Sequence, residues 1–162
     1  MPPPHLYRRF DVQHVTTIKA VLAGIIAALT ALWGWFGWLV LLYIFSLAID
    51  YLTGSMAAMK RGAWCSQRAR EGIWHKAGSI IVVIVAGVAD ILLGTLMANI
   101  PGITISYSVL LCPVVIVWYI LTELGSIIEN AAALGAPVPA WLEKRLSALK
   151  NTVDELGGGT EK

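Results

Sequence analysis

Between Lys19 and Lys60 the chain is almost continuously apolar, and two lengths of it, AVLAGIIAALTAL and WLVLLYIFSLAIDYLTGSMAAM, are joined through WGWFGW. A helix that crosses the hydrocarbon of a bilayer needs about 20 mostly apolar residues at about 1.5 Å of rise each. The pattern therefore predicts a helical hairpin, with Gly34 and Gly37 supplying the turn and Trp33, Trp35 and Trp38 in the headgroup layer. One long tilted helix is the competing arrangement, but about 40 residues would overshoot the hydrocarbon about twofold.

A polar stretch, KRGAWCSQRAREGIWHK, interrupts this pattern and cannot span. AGSIIVVIVAGVADILLGTLMA then predicts a third span, NIPG a turn, and ITISYSVLLCPVVIVWYILTELGSIIEN a fourth, with a kink expected at Pro113. The spans fall at about 20–33, 36–59, 77–98 and 103–129, preceded by a leader over 1–18. After GAPVP the period changes: Leu142, Leu146, Leu149, Val153 and Leu156 recur at alternating spacings of four and three, which predicts a one-faced helix over 137–156 and a flexible tail over 157–162. The expected fold class is an all-α membrane protein, with four transmembrane helices in two hairpins and a C-terminal amphipathic helix in the cytoplasm.

Composition agrees with that pattern, since 57% of the 162 residues are hydrophobic and only 14% charged, too apolar for an ordinary soluble domain. The charge distribution adds the topology. Arg8, Arg9, Lys19, the loop cations Lys60, Arg61, Arg68, Arg70 and Lys76, and then Lys144, Arg145, Lys150 and Lys162 all fall on one side of a four-span chain, while the opposite turns carry none. The positive-inside rule then places both termini in the cytoplasm. A secretory signal peptide is the alternative for the basic leader and first apolar stretch, but no small-residue cleavage site follows. Cys65 and Cys112 stand in such different settings that no disulfide is expected between them.

No GxSxG, HExxH or phosphate-loop pattern is present, and His5, His14 and His75 lie in polar flanks, so neither an enzyme, a metal site nor a cofactor is expected. Chemistry of another kind enters with the acids. Asp50 and Asp90 lie inside apolar runs, where an ionised side chain costs about 2.5–3.5 kcal/mol on insertion scales. Neither has a nearby cation in sequence, and low dielectric disfavours the ionised carboxylate unless water or a neighbouring chain reaches it.

Each acid sits in a stripe of small residues four apart: Ser46, Asp50, Gly54 and Ala58 in one span, Ala86, Asp90 and Gly94 in another. Ala20, Gly24 and Ala28 give the first span a similar face. Such stripes let backbones approach closely and predict contacts within or between subunits. Two roles remain open for the acids: structural hydrogen bonds to Thr53, Ser46 or each other, or a water-accessible route. Glu123 falls about 30 Å along span four, near the cytoplasmic interface, where Lys76 or Lys60 can meet it. Glu129 and Asn130 lie beyond it, and these three complete the candidates for oligomer or pore contacts.

The pieces DYLTG at 50–54, SQRAREGIWHK at 66–76, DILLG at 90–94 and above all ELGSIIENAAALGAPVPAWL at 123–142 resemble the phage-lysis and toxin-secretion holin family. Glu123, Ser126, Ile127, Glu129, Asn130, Gly135, Pro137 and Pro139 fall where that family places them, and the resemblance covers roughly 20–145. It implies a small bacterial inner-membrane protein, without catalytic residues, that homo-oligomerises into lesions through which a cell-wall hydrolase (endolysin) or toxin escapes. Its partners would be the lipid bilayer and further copies of itself, with no nucleic acid and no stable complex with the cargo. The chain departs from the family in its long leader and its Trp-rich first hairpin. A small proton-coupled channel or transporter built on intramembrane carboxylates, or a structural subunit of a larger membrane complex, is the competing function.

Overall fold

A computed structural model describes residues 34–100 and 110–158, together with 16–21, 23, 24 and 27. Every regular element among the described residues is helical: α1 (Trp35–Lys60), α2 (Ser66–Asn99), α3 (Leu111–Leu134) and α4 (Ala140–Gly158). Three of these, α1, α2 and α3, are long and apolar enough to cross a membrane. Most of the expected first span lies outside the described residues; those of it that are described, including Ala20 and Gly24, are helical, and Ala28 is among those outside. The chain divides into two compact units, Met1–Leu41 and Leu42–Lys162, and every contact below lies within the second.

α1 occupies almost the expected stretch, and the turn after Lys60 passes through Gly62, whose φ of 64° is open to a residue without Cβ. α2 contains the expected third span and extends well beyond its N-terminal end. It begins at Ser66 instead of 77 and runs 34 residues, about 51 Å. The basic stretch that looked like an interhelical turn is its first three turns. Gln, Arg, Ala and Glu are strong helix formers, and Gln67 Nε2 donates to Glu71 Oε1 one turn on, at 3.0 Å. Beyond it the helix presents Ile81, Ile84, Val85, Val88, Ile91 and Leu92 outward, all more than half or nearly half exposed. That surface has the character of one made for hydrocarbon.

The helix of the fourth span differs in extent from the span itself. Its expected start, 103–109, lies outside the described residues, and Leu110 is extended, so α3 starts at Leu111 and continues past 129 to Leu134. Pro113 consequently lies in the first turn of α3. The first four N–H groups of a helix have no intrahelical acceptor, so a residue lacking one breaks no helical hydrogen bond there and gives no cause for the expected kink.

At the other end Gly135 takes φ 98°, and the N–H groups of Gly135 and Ala136 return to the carbonyls of Ala132 and Ala131. This left-handed cap stops α3 and turns the chain through Pro137 and Pro139 into α4. The core of the second unit is narrow and partly polar: Tyr43, Ser46, Leu47 and Ala57 from α1, Ser79 and Ala86 from α2, and Cys112, Ile116 and Glu123 from α3.

Candidate functional site

The buried polar residues of the three apolar helices converge. On α1, Tyr43, Ser46, Asp50, Thr53 and Ala57 follow one another at three- and four-residue steps and so share a face. Lys76 and Ser79 share a face of α2, one turn apart, and α3 brings Glu123 and Asn130. Lys76 Nζ donates to Asp50 Oδ2 at 2.8 Å and to Glu123 Oε2, joining all three helices through one ammonium group. Asn130 Nδ2 donates to Asp50 Oδ1 at 3.1 Å and approaches Thr53 Oγ1 at 3.3 Å. Above this group Tyr43 donates its hydroxyl to Ser79 Oγ, and Ser79 donates to the carbonyl of Lys76, each at 2.8 Å.

The side chains of Asp50, Lys76 and Glu123 are only 16%, 16% and 10% exposed, so the charges are largely withdrawn from solvent. Their attraction must offset desolvation, which it does well only where lone pairs and protons are used completely. Among the described residues no fully buried side-chain nitrogen or oxygen is left without a hydrogen bond. Formally the network holds two carboxylates against one ammonium and therefore carries one excess negative charge.

Asp50 is thus not without a cation, contrary to the expectation from its sequence neighbourhood. Lys76 comes from a helix 26 residues away, and it lies in the middle of an element because α2 starts so early. The expected meeting of Lys76 with Glu123 is observed. Lys60 goes elsewhere: its Nζ donates to the carbonyl of Leu134 at 2.6 Å, placing a cation on the negative end of α3. Gly54 faces Asn130 so closely that an added Cβ would stand 3.4 Å from Nδ2.

Asp90 plays a different part from Asp50. Its Oδ1 and Oδ2 accept from the backbone N–H groups of Leu111 and Cys112, at 2.9 and 2.8 Å. Leu110, at the helix-capping position, makes no side-chain cap bond, so a carboxylate from α2 performs that office for α3. Nearby, Cys112 Sγ donates to the carbonyl of Val83 and lies 3.5 Å from where a Cβ on Gly87 would be.

The small-residue stripes are only partly used. Ser46 and Ala86 are buried, Ala58 is half-buried, and Gly94 and Gly24 have no atom near enough to touch an added Cβ. Glu129 is exposed and borders a groove of mixed polar and apolar lining between α3 and α4. Thr53 is among the expected partners of the aspartates, whereas Tyr43 and Ser79 were not singled out in the sequence. Their spacing from Asp50 and Lys76 along the helices is the signal that marks them. Among the described residues no cluster of His, Cys, Asp or Glu has the makings of a metal site.

A profile of the bacteriophage holin family matches residues 27–151, which include the whole network and most of α4. The chain belongs to the bacteriophage holin family. Its holin-type membrane helices have bacterial relatives. A 14.9 kDa protein encoded in the 3' region of nagH in Clostridium perfringens is 37% identical over 113 residues, covering 68% of this chain and 74% of that protein. An uncharacterised protein of Halalkalibacterium halodurans is 34% identical over 135 residues, 82% of this chain and 93% of the relative. YqxH of Bacillus subtilis is 31% identical over 131 residues, 81% and 84% of the two chains. No solved structure matches this holin-family chain.

Proposed function

We propose that this chain is a working holin: it accumulates in the bacterial cytoplasmic membrane, assembles into homo-oligomers, and opens lesions that release a cell-wall hydrolase or an exported toxin. The observation that carries this reading is the Asp50–Lys76–Glu123 group, which fastens three apolar helices to one another by charge inside a body whose outer surface is apolar. Helices held this way do not need a large internal apolar core, which leaves their outer faces for lipid and for other copies.

The group also supplies a reason for a sharp transition. Its excess negative charge is better solvated by water than by hydrocarbon, so packing without water and opening with water are opposed states of one element. A charge that moves through the whole membrane potential gains or loses about 2.3 kcal/mol per 100 mV, and a partial movement gains a fraction of this, multiplied by the number of subunits. Loss of the potential, or crowding of copies, then tips packed oligomers toward a water-filled assembly. Asp90 serves the packed state by holding the start of α3 against α2.

Timed induction in a bacterium, followed by assay of the medium for a folded cytoplasmic enzyme, tests this function. Enzyme release after a delay, with lysis when a hydrolase is co-expressed, is the expected result. The same lysine between two carboxylates would also suit a proton-coupled channel. That reading wins if proteoliposomes pass a selected ion at low protein density and never release protein.

A further inference from the structure

α4 does not hang away from the apolar helices. It folds back antiparallel along α3: Trp118 Nε1 donates to Asp154 Oδ1, the Lys150 ammonium stands 4.2 Å from the centroid of the Trp118 ring, and a Cβ on Gly157 would lie 3.6 Å from Val114 Cγ1. Toward the other end, Glu143, Leu146 and Ser147 border the same groove as Ser126 and Glu129. The contact runs from Val114 to Glu129, about 22 Å of α3 and so most of the roughly 30 Å of a bilayer's hydrocarbon.

Two features decide what surrounds α4 at that depth. The strip of α3 beneath it interleaves Trp118, Thr122, Ser126 and Glu129 with Val114, Leu121, Gly125 and Ile128, so polar groups recur under α4 although α3 is an apolar spanning helix. The exposed side of α4 carries Lys144, Arg145, Asn151, Thr152 and Glu155, which hydrocarbon does not accept. Beside that face Trp141, Leu149 and Leu156 are exposed too, a lateral apolar edge that suits a neighbouring copy or lipid.

We infer that α4 stays on α3 in the assembled state and forms the water-facing wall of the lesion, its charged face toward the lumen. This deepens the proposed function and rests on it: a lesion must exist for α4 to line it. α4 then keeps water from the apolar spans, and the lumen wall carries cations and acids together.

The test uses the full chain with Cys65→Ser and Cys112→Ala, reconstituted in lipid vesicles that enclose a folded reporter enzyme. Val114→Cys with Gly157→Cys is oxidised to an intramolecular disulfide that locks α4 to α3. The expected result is that the disulfide forms in the membrane and that locked and reduced chains release the reporter within about twofold of one another. In a second variant, a nitroxide on Ala148→Cys, at the middle of the outer face of α4, is reached by a water-soluble nickel chelate in assembled vesicles.

Failure of the disulfide to form, a block of release that reductant reverses, or a nitroxide relaxed by oxygen and shielded from the chelate would each overturn the inference while leaving the holin function standing. Absence of release from the parent and reduced chains alike would overturn the proposed function, and this inference with it.

Discussion

Lys76 Nζ lies 2.8 Å from Asp50 Oδ2 while also holding Glu123, so one ammonium group from α2 serves carboxylates on both α1 and α3. The three residues are not equivalent in such an arrangement. Removing the lysine leaves two acids facing each other in a confined space, whereas converting either acid to its amide leaves a neutral pair.

Lys76→Met is therefore expected to destabilise the second unit by about 3–5 kcal/mol, the usual cost of leaving a buried charge without its partner. Asp50→Asn is expected to cost under about 1.5 kcal/mol, because Lys76 keeps Glu123 and the new amide oxygen still accepts from Asn130. Unfolding in mixed micelles measures both, and equal losses in the two variants would refute this account of the network.

Asp90 gives a second, separable prediction. Asp90→Ala removes both acceptors from the first turn of α3 and is expected to cost about 0.5–2 kcal/mol, with faster hydrogen exchange at the amides of Leu111 and Cys112. Asp90→Asn, which keeps one good acceptor and loses the charge at the positive end of the helix, is expected to fall between the parent and the alanine variant. Exchange that is unchanged in Asp90→Ala would show that another group caps α3.

Pro113→Ala separates the two placements of that residue. A proline in the middle of a spanning helix would bend it, and alanine would straighten it and add a hydrogen bond. In the first turn the substitution is expected to change stability by less than about 0.5 kcal/mol and to leave the helix direction as it is. Interhelical distances from spin labels on α2 and at the end of α3 report the direction.

Much of this was legible in the hydropathy and charge pattern, and what was not has physical causes. α1 was readable almost to the residue because its apolar run is bounded by Lys60 and a glycine-containing turn. Asp50 was recognised as special from its surroundings. Its partner was not, because Lys76 sits at the edge of a basic stretch whose helicity is a matter of propensity and not of hydropathy, and a window tuned to lipid sees only a flank.

Asp90 resembled Asp50 in its small neighbours, yet which acceptor meets which donor depends on where the next helix starts. That start was hidden because Leu110 is as apolar as the residues after it. The position of α4 on α3 is a tertiary fact: the leucine spacing predicts an apolar face but not its partner.

The excess charge of the network also sets the sign of a functional prediction. With Asp50→Asn the group is a neutral, fully paired set, so entry of water gains less and the packed state is favoured over the open one. Release of a cytoplasmic enzyme after induction is accordingly expected to be delayed by Asp50→Asn at equal membrane abundance.

Glu123→Gln should act in the same direction, because it leaves Lys76 paired with Asp50 alone. Asp90→Asn touches a cap and not the excess charge, so its effect on timing should follow its loss of stability and be opposite in sign, an earlier release. If Asp50→Asn and Asp90→Asn shift the timing in the same direction by similar amounts, the charge of the network does not set the opening, and general stability of the packed helices is the controlling quantity.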